Sequence, residues 1–399
     1  MANTFKFGNG EWAVGKETAL AYNDENSNFK PLPFTFDRAS TATVVNKQGL
    51  IETVGIDEPR IDFLNNTKGH LLLEPQRQNV ITYSEFDSAS PANWQTGFGT
   101  GTFSYDLVSY KSRPALKQRQ QTEGRSYKAQ NVTVSTSTTY TFSFYIDKEN
   151  SLNMNDNDIV CAVISSDDIG FSSRNYGDAD ENNRINFTFT TNTDTSIQIR
   201  IGLGASGNQA GDKTLIFSMP QLEAGSYATS YIPTQGSAAT RSVDFTKIVN
   251  SPILQGTNQF TLFFEAKDFL IVNGTNVSFS NLMLVFGAGE SAYDSGTGIH
   301  IYDRTWFYYN GSSAVHVGVC YNGLVDSKFA ISYDGTKFTR YAGGVKLGEY
   351  TASASMVNWD TITTGANTDV ENDDRVFNLS DLRLYNTALT DAELIALTS

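Results

Sequence analysis

The feature that most restricts the fold of this chain is a regular alternation of apolar and polar residues. In the stretch TYTFSFYI (Thr139–Ile146), Tyr140, Phe142, Phe144 and Ile146 occupy every second position. The same alternation recurs in INFTFT, SIQIRIGLG and TLIFSM, all before residue 220. Because successive side chains of a strand point to opposite faces, each stretch predicts a strand with one buried and one wet face. Several such strands predict two antiparallel sheets packed as a β-sandwich.

A second set of alternating stretches begins near residue 260. FTLFFEA and IHIYD alternate, and KFAISYDGTKFTRYAGGVKLGEY is typical of a β-meander, with Asp334-Gly335 as a favoured tight turn. The chain ends in TDAELIALTS, where Thr390 is a good N-cap and Glu393 completes a capping box. These patterns predict a second sandwich followed by a short C-terminal helix.

The stretch MPQLEAGSYATSYIPTQG, residues 219–236, marks the boundary between the two sets of strands. It starts as a strand, Gly225 permits a turn, and Pro233 forces the residue before it into an extended exit. The predicted fold class is all-β, with two tandem antiparallel β-sandwich (jelly-roll) domains after an irregular segment. The predicted domains are an N-terminal attachment segment (1–79), a first sandwich (80–245) and a second sandwich (246–399).

The first 79 residues hold too little apolar sequence for a large core of their own. The stretch NDENSNFKPLP combines charges, asparagines and two prolines, which is typical of an exposed linker. We therefore expect this segment to pack on a neighbouring domain or on a partner protein.

The acidic composition bears on the choice of partners. The 399 residues carry 43 Asp and Glu against 29 Lys and Arg, a formal net charge of -14. Such a surface repels nucleic acid and anionic membranes at long range, so we expect neither as a partner. No apolar run approaches the ~20 residues that span a bilayer. We therefore expect no membrane insertion, and the stretch MANTFKFGNGEWAVG shows no signal-peptide pattern.

The sequence holds little raw material for catalysis. Only three histidines occur, His70, His300 and His316, and we expect structural or surface roles for them. The motifs of serine hydrolases, zinc proteases, P-loop proteins and dinucleotide-binding proteins are absent from the sequence. Glu265 and Asp268 are three residues apart in a predicted strand, which places them on opposite faces and argues against joint acid/base work. We therefore predict that the protein is not an enzyme.

One acidic loop carries the spacing of a calcium loop. In GDADENNR, Asp178, Asp180 and Asn182 occupy alternate positions, and hard oxygen ligands at such positions suit Ca²⁺. The EF-hand glycine is replaced by Asn183, and Phe189 stands at the twelfth position. A solvated turn is the alternative interpretation, and we predict no other cofactor.

An aromatic cluster gives the best indication of a binding site. The stretch IYDRTWFYYN, residues 301–310, holds five aromatic residues in ten positions. An exposed ring can stack on the apolar C–H face of a sugar while polar neighbours bond its hydroxyls. The alternative is that the cluster forms core and a subunit interface. The candidate glycan-binding residues are Tyr302, Asp303, Arg304, Trp306, Tyr308 and Asn310.

Three stretches carry a family resemblance. The first runs FTFDRASTATVVNKQGLIETVGIDEPRIDF and continues in GHLLLEPQRQNVITYSEFDSASPANW; the second is TRSVD; the third is ISYDGTKFTRYAGGVKLGEY with LSDLRLYNTALTDAELIAL. Together they resemble bacteriophage virion proteins of fibres and spikes. TRSVD is similar to the end of their carbohydrate-binding-module-like jelly roll, and the third stretch resembles the closing half of a concanavalin A-like, laminin-G-type lectin domain. The residues that match the first pattern are Arg38, Ala39, Ser40, Gly49, Leu50, Glu58, Pro59, Arg60, Glu74, Gln76, Arg77, Asn79, Tyr83, Ser84 and Trp94.

The resemblance implies a non-enzymatic virion protein, a head fibre or tail fibre, that serves host attachment. Its lectin-like sandwiches would bind host-surface polysaccharide weakly and depend on many copies for avidity. The N-terminal segment would contact other virion proteins, and the chain would assemble in the bacterial cytoplasm as a homotrimer. Two alternatives stay open: a purely structural virion decoration protein without sugar binding, and a polysaccharide depolymerase or lyase of sandwich fold.

The aromatic cluster generates a direct test. If Trp306 stacks on a sugar ring, Trp306→Ala removes the stacking surface, and binding on a glycan array should fall sharply. A glycan signal that Trp306→Ala leaves unchanged would place the site elsewhere.

Overall fold

The structure is a computed structural model, and part of the chain is described in it. The described residues are 4–8, 21–23, 29–31, 34–98, 100–165, 170–205, 208, 210–248, 258–270, 282–287, 297–302, 305–310, 314–319, 327–352, 361–365 and 376–399. Most of the described residues lie in strands, and their helical segments are one 3₁₀ turn and one short C-terminal helix, which confirms the predicted all-β class. Among the described residues no helix has the length and apolar character needed to cross a membrane.

The strands are numbered in the order in which they occur along the chain. Those before residue 125 are β1 (Thr4–Gly8), β2 (Ala21–Asn23), β3 (Phe29–Pro31), β4 (Phe34–Asp37), β5 (Ala42–Val45), β6 (Ile51–Val54), β7 (Ile61–Asp62), β8 (His70–Leu73), β9 (Arg77–Asn79), β10 (Gln95–Phe98), β11 (Phe103–Tyr110) and β12 (Arg113–Gln120). The next are β13 (Ser126–Thr133), β14 (Thr139–Ile146), β15 (Ile159–Ser165), β16 (Gly170–Asn175), β17 (Arg184–Thr190), β18 (Ser196–Ile201), β19 (Lys213–Ala224), β20 (Ala239–Arg241) and β21 (Phe245–Ile248), with a 3₁₀ turn at Tyr176–Asp178. The last are β22 (Phe260–Leu270), β23 (Leu282–Gly287), β24 (Thr297–Tyr302), β25 (Thr305–Asn310), β26 (Ala314–Val319), β27 (Ser327–Tyr333), β28 (Lys337–Ala342), β29 (Val345–Thr351), β30 (Thr361–Gly365) and β31 (Val376–Tyr385), followed by the helix α1 (Asp391–Thr398).

The chain forms two compact units. The central unit consists of Gly49–Glu52 and Arg77–Arg241, and the terminal unit consists of Met1–Gln48, Thr53–Gln76 and Ser242–Ser399. In sequence, therefore, the central unit is inserted into the terminal unit. The three predicted domains stay a prediction, although the units change close to the predicted boundaries at 79 and 245.

The central unit contains two five-stranded antiparallel sheets. The first sheet has the strand order β10-β13-β18-β15-β16, and the second has the order β11-β12-β19-β14-β17. One apolar cluster contains residues of both sheets, so the two sheets pack face to face. The alternation seen in the sequence sets this arrangement: in β18, Ile197, Ile199 and Ile201 are buried, and the residues between them are half-buried. This unit therefore has the two packed antiparallel sheets of a β-sandwich.

The predicted boundary stretch begins as the end of β19, and Leu222 is fully buried in the core of the central unit. Gly225 then has a φ of +138°, a conformation that glycine adopts readily. Beyond it, the hydroxyls of Tyr231 and Ser84 lie 2.8 Å apart in the interior. The stretch is therefore tied to the central unit.

The terminal unit contains an eight-stranded and a seven-stranded sheet. In the larger sheet the order is β29-β28-β27-β22-β31-β8-β7, with β1 also paired to β31; in the smaller it is β26-β25-β24-β23-β30-β21-β4. Helix α1 packs on the larger sheet, where Leu394 is buried with Phe263 and Tyr341. The capping box is present: Thr390 N–H donates to the Glu393 carboxylate at 2.8 Å, and Glu393 N–H donates back to the Thr390 hydroxyl at 3.4 Å.

Strands from the predicted attachment segment complete both sheets of the terminal unit. In the larger sheet β8 pairs with β31 and β7 pairs with β8; in the smaller sheet β4 pairs with β21. The described strands β4, β7 and β8 of this segment are therefore part of the sheets of the terminal unit. By pairing with β31 and β21, β8 and β4 satisfy backbone N–H and C=O groups that those two strands would otherwise expose at a sheet edge.

Asn79 satisfies several buried backbone groups. It belongs to the phage-like pattern, by which we mean the residues that match the first stretch of the family resemblance. The Asn79 amide nitrogen donates to the carbonyls of Ile232 (2.9 Å) and Pro220 (3.3 Å). Its oxygen accepts from the N–H groups of Leu222 (3.1 Å) and Ile81 (3.2 Å). Because a buried N–H or C=O without a partner is costly, a side chain with both donor and acceptor groups is well suited to this position.

A buried network of four charges joins distant parts of the terminal unit. Arg38, Arg60, Glu74 and Asp244 are each at most 4% exposed. The Arg60 guanidinium bonds both Asp244 oxygens and donates to Glu74 Oε2 at 2.7 Å. Arg38 Nη1 donates to Asp244 Oδ1 at 2.9 Å. Two cations and two anions thus neutralise each other; burial disfavours the Arg60 charge, but attraction to Asp244 and Glu74 outweighs it and raises the Arg60 pKa.

The same network also holds the backbone. Glu74 N–H donates to Asp244 Oδ2 at 3.0 Å, and Asp244 N–H donates to the Glu74 carbonyl at 3.0 Å. The Arg38 guanidinium bonds the carbonyls of Ser40, Gly55 and Glu58. Arg38 and Arg60, which match the family resemblance, are therefore structural residues.

We expect Asp244→Asn to lower the free energy of unfolding by about 3–5 kcal/mol, because it leaves buried arginine charge uncompensated. Urea unfolding of the full chain measures the change. The control is Glu349→Gln, whose exposed carboxylate pairs with Lys337 and Lys346, and for which we expect no measurable loss. Equal stability of Asp244→Asn and the wild type would contradict a structural role for the network.

Another buried acid, Asp62, lies in β7. The Asp62 carboxylate accepts from Val45 N–H (2.6 Å) and Leu64 N–H (3.1 Å), and it lies 3.6 Å from His70 Nε2. Burial raises the pKa of Asp62 from 3.8 to about 6, and the backbone hydrogen bonds offset only part of this shift. The folded protein therefore holds a proton on Asp62 in a pH range where the unfolded chain has released it.

The stability that this protonation contributes is complete below pH ~4 and is lost as the pH rises through about 6. We therefore expect the free energy of unfolding of the wild type, relative to Asp62→Asn, to fall by on the order of 2–3 kcal/mol between pH 4 and pH 7. Urea unfolding of both proteins across this pH range measures the difference. The same comparison in a His70→Gln background separates the titration of Asp62 from that of the histidine. Parallel pH profiles for the two proteins would contradict the raised pKa.

Candidate functional site

The predicted glycan-binding residues lie in and between β24 and β25. Tyr302 ends β24, and Trp306, Tyr308 and Asn310 lie in β25, where Ile301 is opposite Trp306 and Ile299 is opposite Tyr308. Asp303 and Arg304 lie outside the described residues, as do the side chains of the other four. A glycan site at this position stays a prediction.

The predicted calcium ligands belong to backbone turns. Asp178 Oδ2 accepts from Asn175 N–H at 2.8 Å, and Asp180 Oδ1 accepts from the N–H groups of Asn182 and Arg184, both at 2.9 Å. Within the described part of the chain, no three His, Cys, Asp or Glu side chains come together as a metal-binding group. The calcium site stays a prediction, and the structure gives these carboxylates a turn-forming role.

A different set of polar side chains comes together on the outer face of the first sheet of the central unit. In β18 the isoleucines face the core, so Gln198 and Arg200 between them face outward. The strand register places Asn131 of β13 opposite Gln198, and it places Ala129 of β13 and Ala162 of β15 on either side of Arg200. Alanine ends at the β-carbon, so Arg200 rises above its neighbours on both adjacent strands.

These outward groups are joined in a row. Gln198 Nε2 donates to Asn131 Oδ1 at 3.0 Å, and Arg200 Nε donates to Gln198 Oε1 at 2.7 Å. The guanidinium carbon of Arg200 lies 5.0 Å from the centre of the Tyr127 ring, which is a cation–π contact. We call Asn131, Gln198, Arg200 and Tyr127 the Arg200 ladder. Its side chains are oriented before any ligand arrives, which lowers the entropy lost on binding.

Glycine at position 97 allows the aromatic end of the ladder to lie flat on the sheet. Gly97 of β10 is opposite Tyr127 of β13, and a β-carbon at residue 97 would lie 2.2 Å from the Tyr127 ring. Only 8% of Tyr127 is exposed, so its ring is held tightly over Gly97. The position of the Arg200 guanidinium above the Tyr127 ring therefore depends on the absence of a side chain at Gly97.

The ladder presents chemical groups that suit a polyhydroxylated ligand. Its amides offer both N–H donors and C=O acceptors, and its guanidinium offers charged donors in a plane. Asn131 is exposed, and Gln198 and Arg200 are half-buried, so the row is open to solvent. The stretch SIQIRI indicates this polar row, because the polar residues of an alternating strand must share one face. The strand prediction rested on the apolar residues of the stretch alone.

Known proteins show only distant similarity to this chain. No family model matches the sequence, and no curated protein matches it. A similar solved structure is the CBM40 of the Ruminococcus gnavus IT-sialidase bound to α2,3-sialyllactose, with 17% identity, a TM-score of 0.27, and coverage of 36% of this chain and 84% of that one.

Two further solved structures are similar at the same level. Domain 4 of AbnA, an extracellular arabinanase of Geobacillus stearothermophilus in complex with arabinotriose, has 15% identity and a TM-score of 0.31, and covers 44% of this chain and 83% of that one. The receptor binding domain of botulinum neurotoxin type G has 13% identity and a TM-score of 0.28, and covers 38% and 41%. At these values the similarity carries no inference about function.

We expect Gly97→Ala to lower the free energy of unfolding by about 1–3 kcal/mol, because the new methyl group overlaps the Tyr127 ring and forces it to move. Thermal or urea unfolding measures the loss. In a Tyr127→Ala background the same substitution should cost much less, and this coupling identifies the ring as the cause. An identical cost in both backgrounds would contradict the steric role of Gly97.

Proposed function

We propose that the protein is a non-enzymatic glycan-binding protein and that the Arg200 ladder is its binding surface. The observation that carries this proposal is the bonded row from Asn131 through Gln198 to Arg200 on an open sheet face. Sugars present pairs of hydroxyls that both donate and accept hydrogen bonds, and side-chain amides match this pattern. The ring of Tyr127 holds the guanidinium in place beside the amides.

Other ligand classes suit this surface less well. A metal cation would be repelled by the guanidinium, and the acidic chain with its net charge of -14 repels nucleic acid at long range. A guanidinium pairs with a carboxylate through two parallel hydrogen bonds. Acidic sugars therefore belong to the ligand class together with neutral ones.

The phage-like pattern supports a biological setting for this binding. We infer a virion fibre or spike protein, on the head or tail of a bacteriophage, that attaches to host-surface polysaccharide. Arg38, Arg60 and Glu74 of that pattern meet in one buried network, so the pattern corresponds to a built part of the fold. In this setting the chain assembles in the host cytoplasm, contacts other virion proteins through its N-terminal segment, and forms a homotrimer.

Many copies would compensate for weak binding by one ladder. A row of a few side chains buries little area, so we expect each site to bind its glycan weakly and the assembled virion to bind by avidity. Light scattering of the purified protein tests the trimer, which requires three times the chain mass of 43.8 kDa. Antibody labelling of virions in electron micrographs tests the location, and unlabelled virions would contradict it.

The binding test is a glycan array probed with the full chain, with sialyllactose and arabinotriose among the ligands. We expect Arg200→Ala to weaken binding of the best glycan at least about tenfold, because a charged hydrogen-bond donor is lost. The matched control is Arg119→Ala, since Arg119 is an exposed arginine on the second sheet that pairs with Asp106. Equal binding by the two variants, or no glycan binding by the wild type, would refute the ladder as the site.

A further inference from the structure

A polar pocket lies in the terminal unit. It is a pocket of about 350 Å³ between the loop that joins β7 to β8 and the larger sheet. This volume lies within the ~300–1,000 Å³ that small-molecule sites occupy. The residues that line it are Asn65, Asn66, Thr67, Lys68, Gly69, Glu265 and Ser380.

An irregularity in the larger sheet supplies one wall of the pocket. Glu265 of β22 is opposite Asp381 of β31, but the next residue, Ala266, is opposite Leu379. Ser380 is therefore an extra residue on β31, which is the geometry of a β-bulge. A bulge changes the direction of nearby side chains, and this one brings Glu265 and Ser380 to the pocket together.

The loop that supplies the other wall is held in shape by its own contacts. Asn66 Oδ1 accepts from Lys68 N–H at 3.0 Å, and Gly69 N–H donates to the Asn66 carbonyl at 3.1 Å. Gly69 has a φ of +74°, and a β-carbon there would lie 2.8 Å from the Phe63 ring. The loop therefore presents a fixed set of polar groups to the pocket.

Two polar groups of the sheet wall are without partners among the described residues. The Ser380 side chain is 6% exposed, and its hydroxyl has no hydrogen-bond partner there. The half-buried Glu265 carboxylate forms no hydrogen bond or ion pair within the described part of the chain. Buried polar groups in proteins are nearly always paired, so the unpaired hydroxyl of Ser380, beside a carboxylate that can only accept hydrogen bonds, points to a polar ligand.

The charges of the lining narrow the ligand class. The Lys68 ammonium group repels a bound cation, and the Glu265 carboxylate repels a bound anion. The amides and hydroxyls of the remaining residues work against an apolar ligand, since they would lose their hydrogen bonds to water. A neutral ligand with several hydroxyls satisfies all three conditions.

We propose that this pocket binds one neutral sugar residue, with the Glu265 carboxylate accepting hydrogen bonds from the hydroxyls of the sugar. A carboxylate has two oxygens and accepts from two neighbouring hydroxyls at once. The pocket is built from residues of the terminal unit alone and does not depend on the Arg200 ladder. Together with the Arg200 ladder, the pocket gives each compact unit a proposed sugar site.

The experiment measures binding of methyl α-D-glucopyranoside, methyl α-D-galactopyranoside and methyl α-D-mannopyranoside to the full chain by saturation-transfer NMR. It uses an Arg200→Ala background, so the ladder does not contribute. At least one of the three sugars should bind, and Glu265→Gln should weaken that binding at least about tenfold. Glu349→Gln, an acid-to-amide change at an exposed position outside the pocket, should leave it unchanged.

Two further measurements use the same proteins. The bound sugar should slow hydrogen exchange in a peptide that covers Asn65–Gly69, which places the ligand even if Glu265→Gln folds poorly. A methyl glucuronide should bind more weakly than the neutral glucoside, because its carboxylate is repelled by the carboxylate of Glu265.

The proposal is overturned if none of the three sugars binds, if Glu265→Gln and Glu349→Gln bind equally, or if the glucuronide binds best. If the Arg200 ladder is not a glycan site, the result is different. Arg200→Ala would then leave binding on the glycan array unchanged, while Glu265→Gln would still weaken sugar binding. The two sites are therefore tested separately.

Discussion

The buried network of Arg38, Arg60, Glu74 and Asp244 is the interaction on which the terminal unit depends. Asp244 is 170 residues from Glu74 and 206 from Arg38 in sequence, yet one carboxylate bonds both arginines. A buried charge without a partner is strongly destabilising, so these segments must meet for the unit to be stable. Most of the central unit lies between Glu74 and Asp244 in sequence. The network therefore determines where the chain returns from the central unit to the terminal unit.

The two proposed binding surfaces share a physical origin. Each is produced by the rule that side chains of a strand alternate between faces, combined with one local departure from regular structure. On the first sheet of the central unit, Gly97 lets Tyr127 lie under Arg200. On the larger sheet of the terminal unit, the bulge at Ser380 opens a space beside Glu265. Regular strands supply rigidity, and the irregular residue supplies the space.

The sequence predicted local structure well but did not predict the Arg200 ladder. The alternation in TYTFSFYI and SIQIRI corresponds to β14 and β18, and the capping box of Thr390 and Glu393 is present in α1. Both signals are local, since they depend on residues within one turn or one strand. The Arg200 ladder joins Asn131 to residues about seventy positions later through strand pairing, and no local pattern specifies which strands pair.

The sequence by itself determined that this chain is all-β, where its strands alternate, and where its final helix begins, because periodicity and capping are properties of short segments. Only the tertiary structure decided that residues 34–76 complete the sheets of the C-terminal strands, and that a loop, a glutamate and a bulge form one pocket. Those outcomes depend on contacts between distant residues. Such contacts are selected by the burial of charge and the pairing of strand edges over the whole unit.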